Sequence, residues 1–323
     1  MTSPALSLIV PHRNHLHRLP RLLDSILAQS FKNLEVILVD DCSDAPCGPV
    51  VEAYLSRGLP LRLLASGERI HTLEARLRGI EAATGDIIGF ADADDMLWGT
   101  DTLEANVHAC VQSGADILHF RILISDEQGN FCSWAPISDP LAPSLHGAEI
   151  LGAYCKADLW GISGLWNKFF WRELCIAMLK PARATSLTSY LEDGWLTLLL
   201  FSSAMHYRGS DIVGYAYAWQ DQRDTADPLP TIALSALQRE TAAFLRGQGR
   251  PQEFIDTICR QWEKPLRSHA GRLCMAINDL NGPEREAALE KLLRHPQRDE
   301  LLRALVLAGG LNAKKLLGIY GMF

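Results

Sequence analysis

The sequence predicts an α/β protein, a mostly parallel sheet flanked by helices with a C-terminal helical appendage. Three observations carry this. Short apolar runs alternate with amphipathic helical stretches over the first 125 residues, those runs lack strict polar alternation, and strand-like runs cease after about position 229. Alternating strand and helix patterns are those of a parallel sheet covered by helices. Unbroken apolar runs are what strands buried on both faces require.

Taken in order, strands are expected at 6–10, 34–39, 61–65, 86–91 and 116–124. Between the first two, Leu19, Leu22, Leu23, Ile26 and Leu27 recur at helical spacing, so a helix is expected over 19–29 with Pro20 in its first turn. Helices at 73–83 and 102–113 fit between the later strands, with Gly85 as a stop after the first of them. From 133 to 164 the pattern weakens into Pro-, Gly- and Trp-containing sequence, followed by a helix at 192–201 and a strand at 211–219. Helical stretches then fill 232–246, 251–277, 283–293 and 299–307.

A chain of 323 residues with 48% hydrophobic and 21% charged residues is long and apolar enough to bury a core without staples. A formal charge of −7 argues against nucleic acid as a partner, because polyanions are held by an excess of Lys and Arg. The eight cysteines contain no CxxC pair and read as reduced thiols. Met1-Thr2-Ser3-Pro4 has no basic and apolar leader pattern, and no run approaches the roughly 18 apolar residues that span a bilayer. A cytoplasmic location, or a peripheral one at the inner face of the membrane, is expected.

In an open parallel sheet, ligands bind beyond the carboxyl ends of the strands. The residues there are polar: Pro11-His12-Arg13-Asn14 after the first run, Asp40-Asp41-Cys42-Ser43-Asp44 after the second, and Asp92-Ala93-Asp94-Asp95 after the fourth. Carboxylates from separate strands that converge on one edge repel one another unless a cation or a hydrogen-bonding ligand intervenes. Asp92 and Asp94, two apart, put both carboxylates on one side of an extended segment. With phosphate oxygens and waters they suit the octahedral oxygen shell of Mg²⁺ or Mn²⁺. The plainer alternative is a polar turn in which Asp95 or Asp101 caps the next helix.

Five blocks, in order, resemble the family 2 glycosyltransferases of the GT-A fold: Ser7-Leu8-Ile9-Val10-Pro11-His12-Arg13-Asn14, Leu23-Asp24-Ser25-Ile26-Leu27-Ala28-Gln29-Ser30-Phe31, Glu35-Val36-Ile37-Leu38-Val39-Asp40-Asp41-Cys42-Ser43-Asp44, Ala75-Arg76-Leu77-Arg78-Gly79-Ile80, and Thr84-Gly85-Asp86-Ile87-Ile88-Gly89-Phe90-Ala91-Asp92-Ala93-Asp94-Asp95. The resemblance covers roughly the first hundred residues. It implies a Rossmann-like GT-A domain over 1–228, with a nucleotide-sugar-binding half at 1–125 and an acceptor-binding half at 126–228, before a helical C-terminal region at 229–323. It further implies that Pro11 and Asn14 line the nucleotide pocket and that Asp40 or Asp41 accepts from the base or ribose. Arg76 would lie near the base or diphosphate. Asp94 would be the main metal ligand, with Asp92 supporting it and Asp92 and Ala93 meeting the nucleotide sugar. His12-Arg13 stands where the family has a small and an aromatic residue, and Leu77 where it has Asn. These departures leave the donor base open, with a UDP-sugar as the expected form.

In the second half, Tyr190-Leu191-Glu192-Asp193-Gly194-Trp195 resembles the family's ED segment at a helix start. The resemblance implies Asp193 as general base toward an acceptor hydroxyl, with Glu192 and Trp195 at the acceptor or phosphate. Partial burial beside Trp195 raises such a carboxyl toward working pH. The alternative is a pair of first-turn carboxylates favoured by the helix dipole. Leu165-Trp166-Asn167-Lys168-Phe169-Phe170-Trp171-Arg172 resembles an acceptor-side segment of many bacterial members, implying Trp166 against a sugar ring and Lys168 at phosphate. A buried aromatic edge with Lys168 reaching solvent is equally compatible.

The expectation is therefore an inverting transferase, dependent on Mn²⁺ or Mg²⁺. It would move a sugar from a nucleotide diphosphate sugar to a hydroxyl of a glycan or lipid-linked acceptor in bacterial surface polysaccharide synthesis. Nucleotidyltransferases and dinucleotide dehydrogenases need a Gly-rich phosphate loop that Pro11-His12-Arg13-Asn14 does not offer. A non-catalytic nucleotide- or sugar-binding protein of the same fold is the other alternative. His12, His15 and His17 have no Cys or His at structural-zinc spacing, so solvent exposure or nucleotide contact is expected of them. The segment 309–323 either packs on the helical region or docks on a membrane surface, the latter supported only by Lys314 and Lys315.

Overall fold

The computed structural model describes residues 4–126, 128–157, 159–187, 190–218 and 229–294, with 299, 301–302 and 304–305. The chain divides into two compact units, Met1–Gln220 and Asp221–Phe323.

The first unit runs β1 (Leu6–His12), α1 (Leu19–Leu27), β2 (Leu34–Asp40), α2 (Gly48–Ser56), β3 (Leu61–Ala65), α3 (His71–Ala82), β4 (Ile87–Phe90), β5 (Met96–Leu97), α4 (Thr102–Ser113) and β6 (Ile117–Ser125). It continues with β7 (Phe131–Trp134), β8 (Ser144–His146), α5 (Ala148–Tyr154), α6 (Leu159–Ile162), β9 (Lys168–Trp171), α7 (Arg172–Arg183), α8 (Glu192–Ser203) and β10 (His206–Ala218). The strands form one sheet in the order β3-β2-β1-β4-β9-β6-β10-β5, with β7 beside β6 and β8 beside β10. β1 pairs in parallel with β2 and β4, β2 with β3, and β6 with β10. β9 enters antiparallel between β4 and β6. The mainly parallel, helix-flanked α/β architecture is the expected one.

Local chemistry explains how the helices sit. α1 buries Leu19, Leu22, Leu23 and Ile26 and carries its proline in the first turn, where the missing N–H costs no helical hydrogen bond. α3 lies so close to β1 that a Cβ at Gly79 would stand 2.3 Å from Ile9 Cγ2. Only glycine permits that approach, one turn along α3 from Arg76. β1 and β2 run beyond their expected ends, and His12 pairs in register with Asp40, so the parallel ladder itself brings an imidazole beside a carboxylate.

In the second unit, α9 (Leu229–Gly247), α10 (Gln252–Asn278) and α11 (Gly282–Leu293) follow one another. Ile232, Ala270, Leu273, Cys274, Ile277, Leu289 and Leu292 form its buried cluster. Asn281 caps α11 by accepting from the Glu284 amide at 3.2 Å. The helix expected at 299–307 falls largely outside the described residues, and the segment 309–323 wholly so. Among the described residues no helix is long and apolar enough to cross a membrane.

Candidate active site

The loops beyond the carboxyl ends of β1, β2 and β4 meet the start of α8 and the end of β10. Four non-glycine residues of the described chain have positive φ, and each lies in a loop or helix entry of this region: Asn14 (58°), Cys42 (54°), His71 (65°) and Leu191 (59°). The left-handed region costs an ordinary residue about 1–2 kcal/mol, so surrounding contacts must hold it. Asn14 Nδ2 donates to Asp44 Oδ2 at 2.9 Å, while its Oδ1 accepts from the Asp44 amide at 2.9 Å. The Asn14 amide donates to Ser43 Oγ at 3.0 Å, and Ser43 Oγ donates to Asp40. Asp41 accepts from the Ile70 amide and, at 3.1 Å, from the His71 amide, which ties the entry of α3 to the end of β2. Pro11, half-buried, closes this row on β1.

The segment after β4 is a turn, with the Asp95 amide donating to the Asp92 carbonyl at 3.1 Å, and not the extended stretch that the two-residue spacing suggests. Ala93 turns its methyl into the core. Asp92 and Asp94 remain partly accessible, whereas Asp95 is buried. Asp95 does not cap the next helix: Oδ2 accepts from the Tyr215 hydroxyl at 2.8 Å and Oδ1 from the Ala218 amide at 2.7 Å. The same hydroxyl accepts from the Asp92 amide at 3.0 Å, so Tyr215 locks the turn at both ends. Asp101 stands before α4 without a capping side-chain bond. Arg18 Nη1 approaches Asp94 Oδ2 at 3.7 Å, and Arg21 donates to the Asp94 carbonyl.

Arg76, on α3, is the hub. Its Nη2 lies 3.0 Å from Asp92 Oδ1 and its Nη1 lies 2.6 Å from Glu192 Oε1. The first residue of α8 is thereby held against the acidic turn. Next to it, Asp193 Oδ1 accepts from the Gly194 amide at 2.7 Å. Burial raises the Asp193 carboxyl above the ordinary range; Arg76 opposes this, and the charge of Asp92 adds to it. Burial likewise raises Glu192, Asp92 and, most strongly, Asp95. The two accessible carboxylates of this turn, Asp92 and Asp94, form a hard-oxygen set. That donor chemistry suits a hard divalent cation at Asp94 and Asp92.

The remaining expected residues are placed otherwise. Trp166 stacks on Tyr215 (centroids 5.3 Å apart, 13° between planes) and on Tyr217 (5.5 Å, 29°), which sets an aromatic ledge beside the acidic turn. Lys168 neither meets the surface nor reaches out to phosphate: it is fully buried. Its Nζ donates to the Gly164 carbonyl at 2.5 Å and to Asn167 Oδ1 at 2.7 Å. Burial lowers it to about 7. Trp195 is committed to packing, 3% exposed, with Nε1 donating to the Ala182 carbonyl at 3.3 Å. His12 is buried and not solvent-exposed. Asp95 and Tyr215 are the participants that motif reading missed. The signal for the second lies in Tyr215 and Tyr217, which are two apart on β10 and so share a face.

Comparison with known proteins gives a consistent picture. A family model described as Glycosyl transferase family 2 matches residues 7–171. The chain is 38% identical over 109 residues to the amylovoran biosynthesis glycosyltransferase AmsB of Erwinia amylovora, covering 33% of this chain and 36% of that protein. Its matches span about half or less of the length of such curated relatives. Its fold is similar to that of S. aureus TarS 1–349 in complex with UDP-GlcNAc, with TM-score 0.64, 18% identity and coverage of 97% of this chain and 92% of that one. It is also similar to that of the mannosyltransferase PcManGT from Pyrobaculum calidifontis in complex with GDP-Man and Mn2+, with TM-score 0.58, 19% identity and coverage of 96% and 87%.

Proposed function

Because the chain belongs to glycosyl transferase family 2, we propose that it transfers a sugar, with inversion, from a nucleotide diphosphate sugar to a hydroxyl of a glycan or lipid-linked acceptor in bacterial surface polysaccharide synthesis. The observation that carries this reading is Arg76, whose guanidinium bonds at once to Asp92 of the acidic turn and to Glu192 beside Asp193. A donor-side carboxylate motif and a raised carboxyl at a helix start are thus joined through one side chain, although distant in sequence.

On this reading Pro11, Asn14, Asp40 and Asp41 surround the nucleoside of the donor, a UDP-sugar in its proposed form. Asp94, supported by Asp92, would hold Mn²⁺ or Mg²⁺, which supplies charge stabilisation at a leaving diphosphate. Arg76 keeps Asp92 oriented. Trp166 offers its face to a sugar ring. Asp193, with Oδ1 engaged by the Gly194 amide, takes the acceptor hydroxyl proton on its other oxygen. The hydroxyl oxygen forms the new bond to the anomeric carbon from the side opposite the diphosphate, the bond to the diphosphate breaks, and configuration inverts. Residues 1–228 are the proposed catalytic domain, donor half 1–125 and acceptor half 126–228, with 229–323 a helical region beyond it. The proposed place of action is the cytoplasm or the inner face of the membrane.

A thermal-shift screen of nucleotide diphosphate sugars with and without Mn²⁺ tests the donor assignment. A ligand at 100 times its Kd adds about 2.7 kcal/mol of stability, worth several degrees in Tm. No shift with any donor in the presence of Mn²⁺ contradicts it.

A further inference from the structure

Beside the acidic turn lies a second cluster, of which the proposed transfer reading uses only Asp40, at the nucleoside. His12 ends β1, Asp40 ends β2 in register with it, and Cys47 immediately precedes α2. One ligand atom from each, a ring nitrogen, a carboxylate oxygen and the thiol sulfur, lie within 4.8 Å of one another. All three residues are buried, at 3%, 8% and 2% exposure. Among the described residues neither ring nitrogen of His12 has a hydrogen-bond partner, although leaving a buried polar atom unpaired is unfavourable. Asp40 is in turn oriented by Ser43, whose hydroxyl donates to Asp40 Oδ1 and accepts from the Asn14 amide. A metal-ligating carboxylate is commonly held by such an outer hydrogen bond.

We propose that His12, Asp40 and Cys47 bind a borderline-soft divalent cation, zinc foremost, at the corner of β1, β2 and α2. Thiolate with imidazole selects zinc over the hard Mg²⁺ and Mn²⁺ that suit an all-oxygen set, so the two clusters sort two kinds of cation. Tetrahedral zinc places its ligand atoms about 3.5 Å apart, from bonds of about 2.0–2.3 Å. From separations of at most 4.8 Å the trio therefore closes by at most about 1.3 Å on binding, within reach of side-chain rotation. Cys47 gives up its thiol proton to solvent as the Zn–S bond forms. The imidazole lone pair fills a second position, Asp40 a third, and a water or a donor atom the fourth. The sequence spacing hides this set because the ladder joins only His12 to Asp40, while Cys47 comes from the entry of α2.

The test uses the full chain, stripped with a chelator and titrated with Co²⁺ as a spectroscopic stand-in and then with Zn²⁺. One equivalent of Co²⁺ is expected to give a thiolate-to-cobalt charge-transfer band and tetrahedral visible absorption, displaced by one equivalent of Zn²⁺ and not by excess Mn²⁺. Cys47→Ser and His12→Asn should weaken binding by more than the roughly 10–100-fold that loss of an outer-shell partner causes, while Cys42→Ser leaves the band unchanged. Zinc-edge X-ray absorption of the unmutated protein, independent of how any variant folds, should show one sulfur at about 2.3 Å among lighter ligands. An all-nitrogen-and-oxygen shell, or a cobalt band that survives Cys47→Ser, overturns the site. None of these readouts involves sugar transfer, so a loss of zinc binding leaves the proposed activity standing, and the reverse.

Discussion

Arg76 Nη1 and Glu192 Oε1 lie 2.6 Å apart inside the protein, a contact across 116 positions of sequence. Both side chains are nearly inaccessible, and removing one partner of a buried pair leaves the other charge uncompensated, at about 3–5 kcal/mol. Arg76→Met should therefore lower Tm on the order of 10 °C. Adding Glu192→Gln should restore a large part of that loss. Independent, additive losses in calorimetry would show that the pair does not hold α8 to α3.

On the proposed mechanism Asp193 sets the acid limb of activity. Its carboxyl is raised by burial, and a base must be ionised to accept a proton, so kcat should fall as pH drops through a value above the ordinary Asp range of about 3.9. Asp193→Asn should remove roughly 10²–10⁴-fold of the rate and abolish that limb. A pH–rate profile of Asp193→Asn with the limb unchanged would assign it to another group.

Lys168 gives a stability signature of opposite kind. Its folded value is depressed to about 7 by burial from an ordinary one near 10.4. Between those values the unfolded chain binds the extra proton, so this lysine makes the fold more stable as pH rises from about 7 and less stable as pH falls toward 7. Lys168→Met, which has no such proton, should compare better with the parent at pH 6 than at pH 9, by several degrees in Tm. An equal difference at both pH values would mean that the ammonium stays charged in the fold.

Tyr215 should matter to turnover without touching substrate. Its hydroxyl links Asp95 to the Asp92 amide, and Tyr215→Phe leaves a buried carboxylate short of a donor, worth about 1–3 kcal/mol. Stability should fall by that amount and kcat with it. An unaltered denaturation midpoint would show that the link carries no load.

Much of this was legible in the sequence where the signal is local. The strand at Leu61–Ala65 and the helix at Thr102–Ser113 fall where periodicity places them. α2 was not legible because it buries only Val51 and Tyr54, too few positions to repeat. β9 escaped because it is four residues long and begins with a buried lysine. At the site, the acidic turn and the ED pair are motifs of adjacent residues and can be read directly. The Arg76–Glu192 contact, the Tyr215 lock and the His12–Asp40–Cys47 corner each join distant segments, and no spacing rule encodes them.

Metal-dependent release of nucleoside diphosphate from a donor sugar, compared among the parent chain, Asp94→Ala and Asp193→Asn, tests the central claim most directly. Asp94 is a quarter exposed and can be removed without emptying the core. Release that requires Mn²⁺ or Mg²⁺ and falls at least about a hundredfold in both variants is the expected result; undiminished release in both would contradict it.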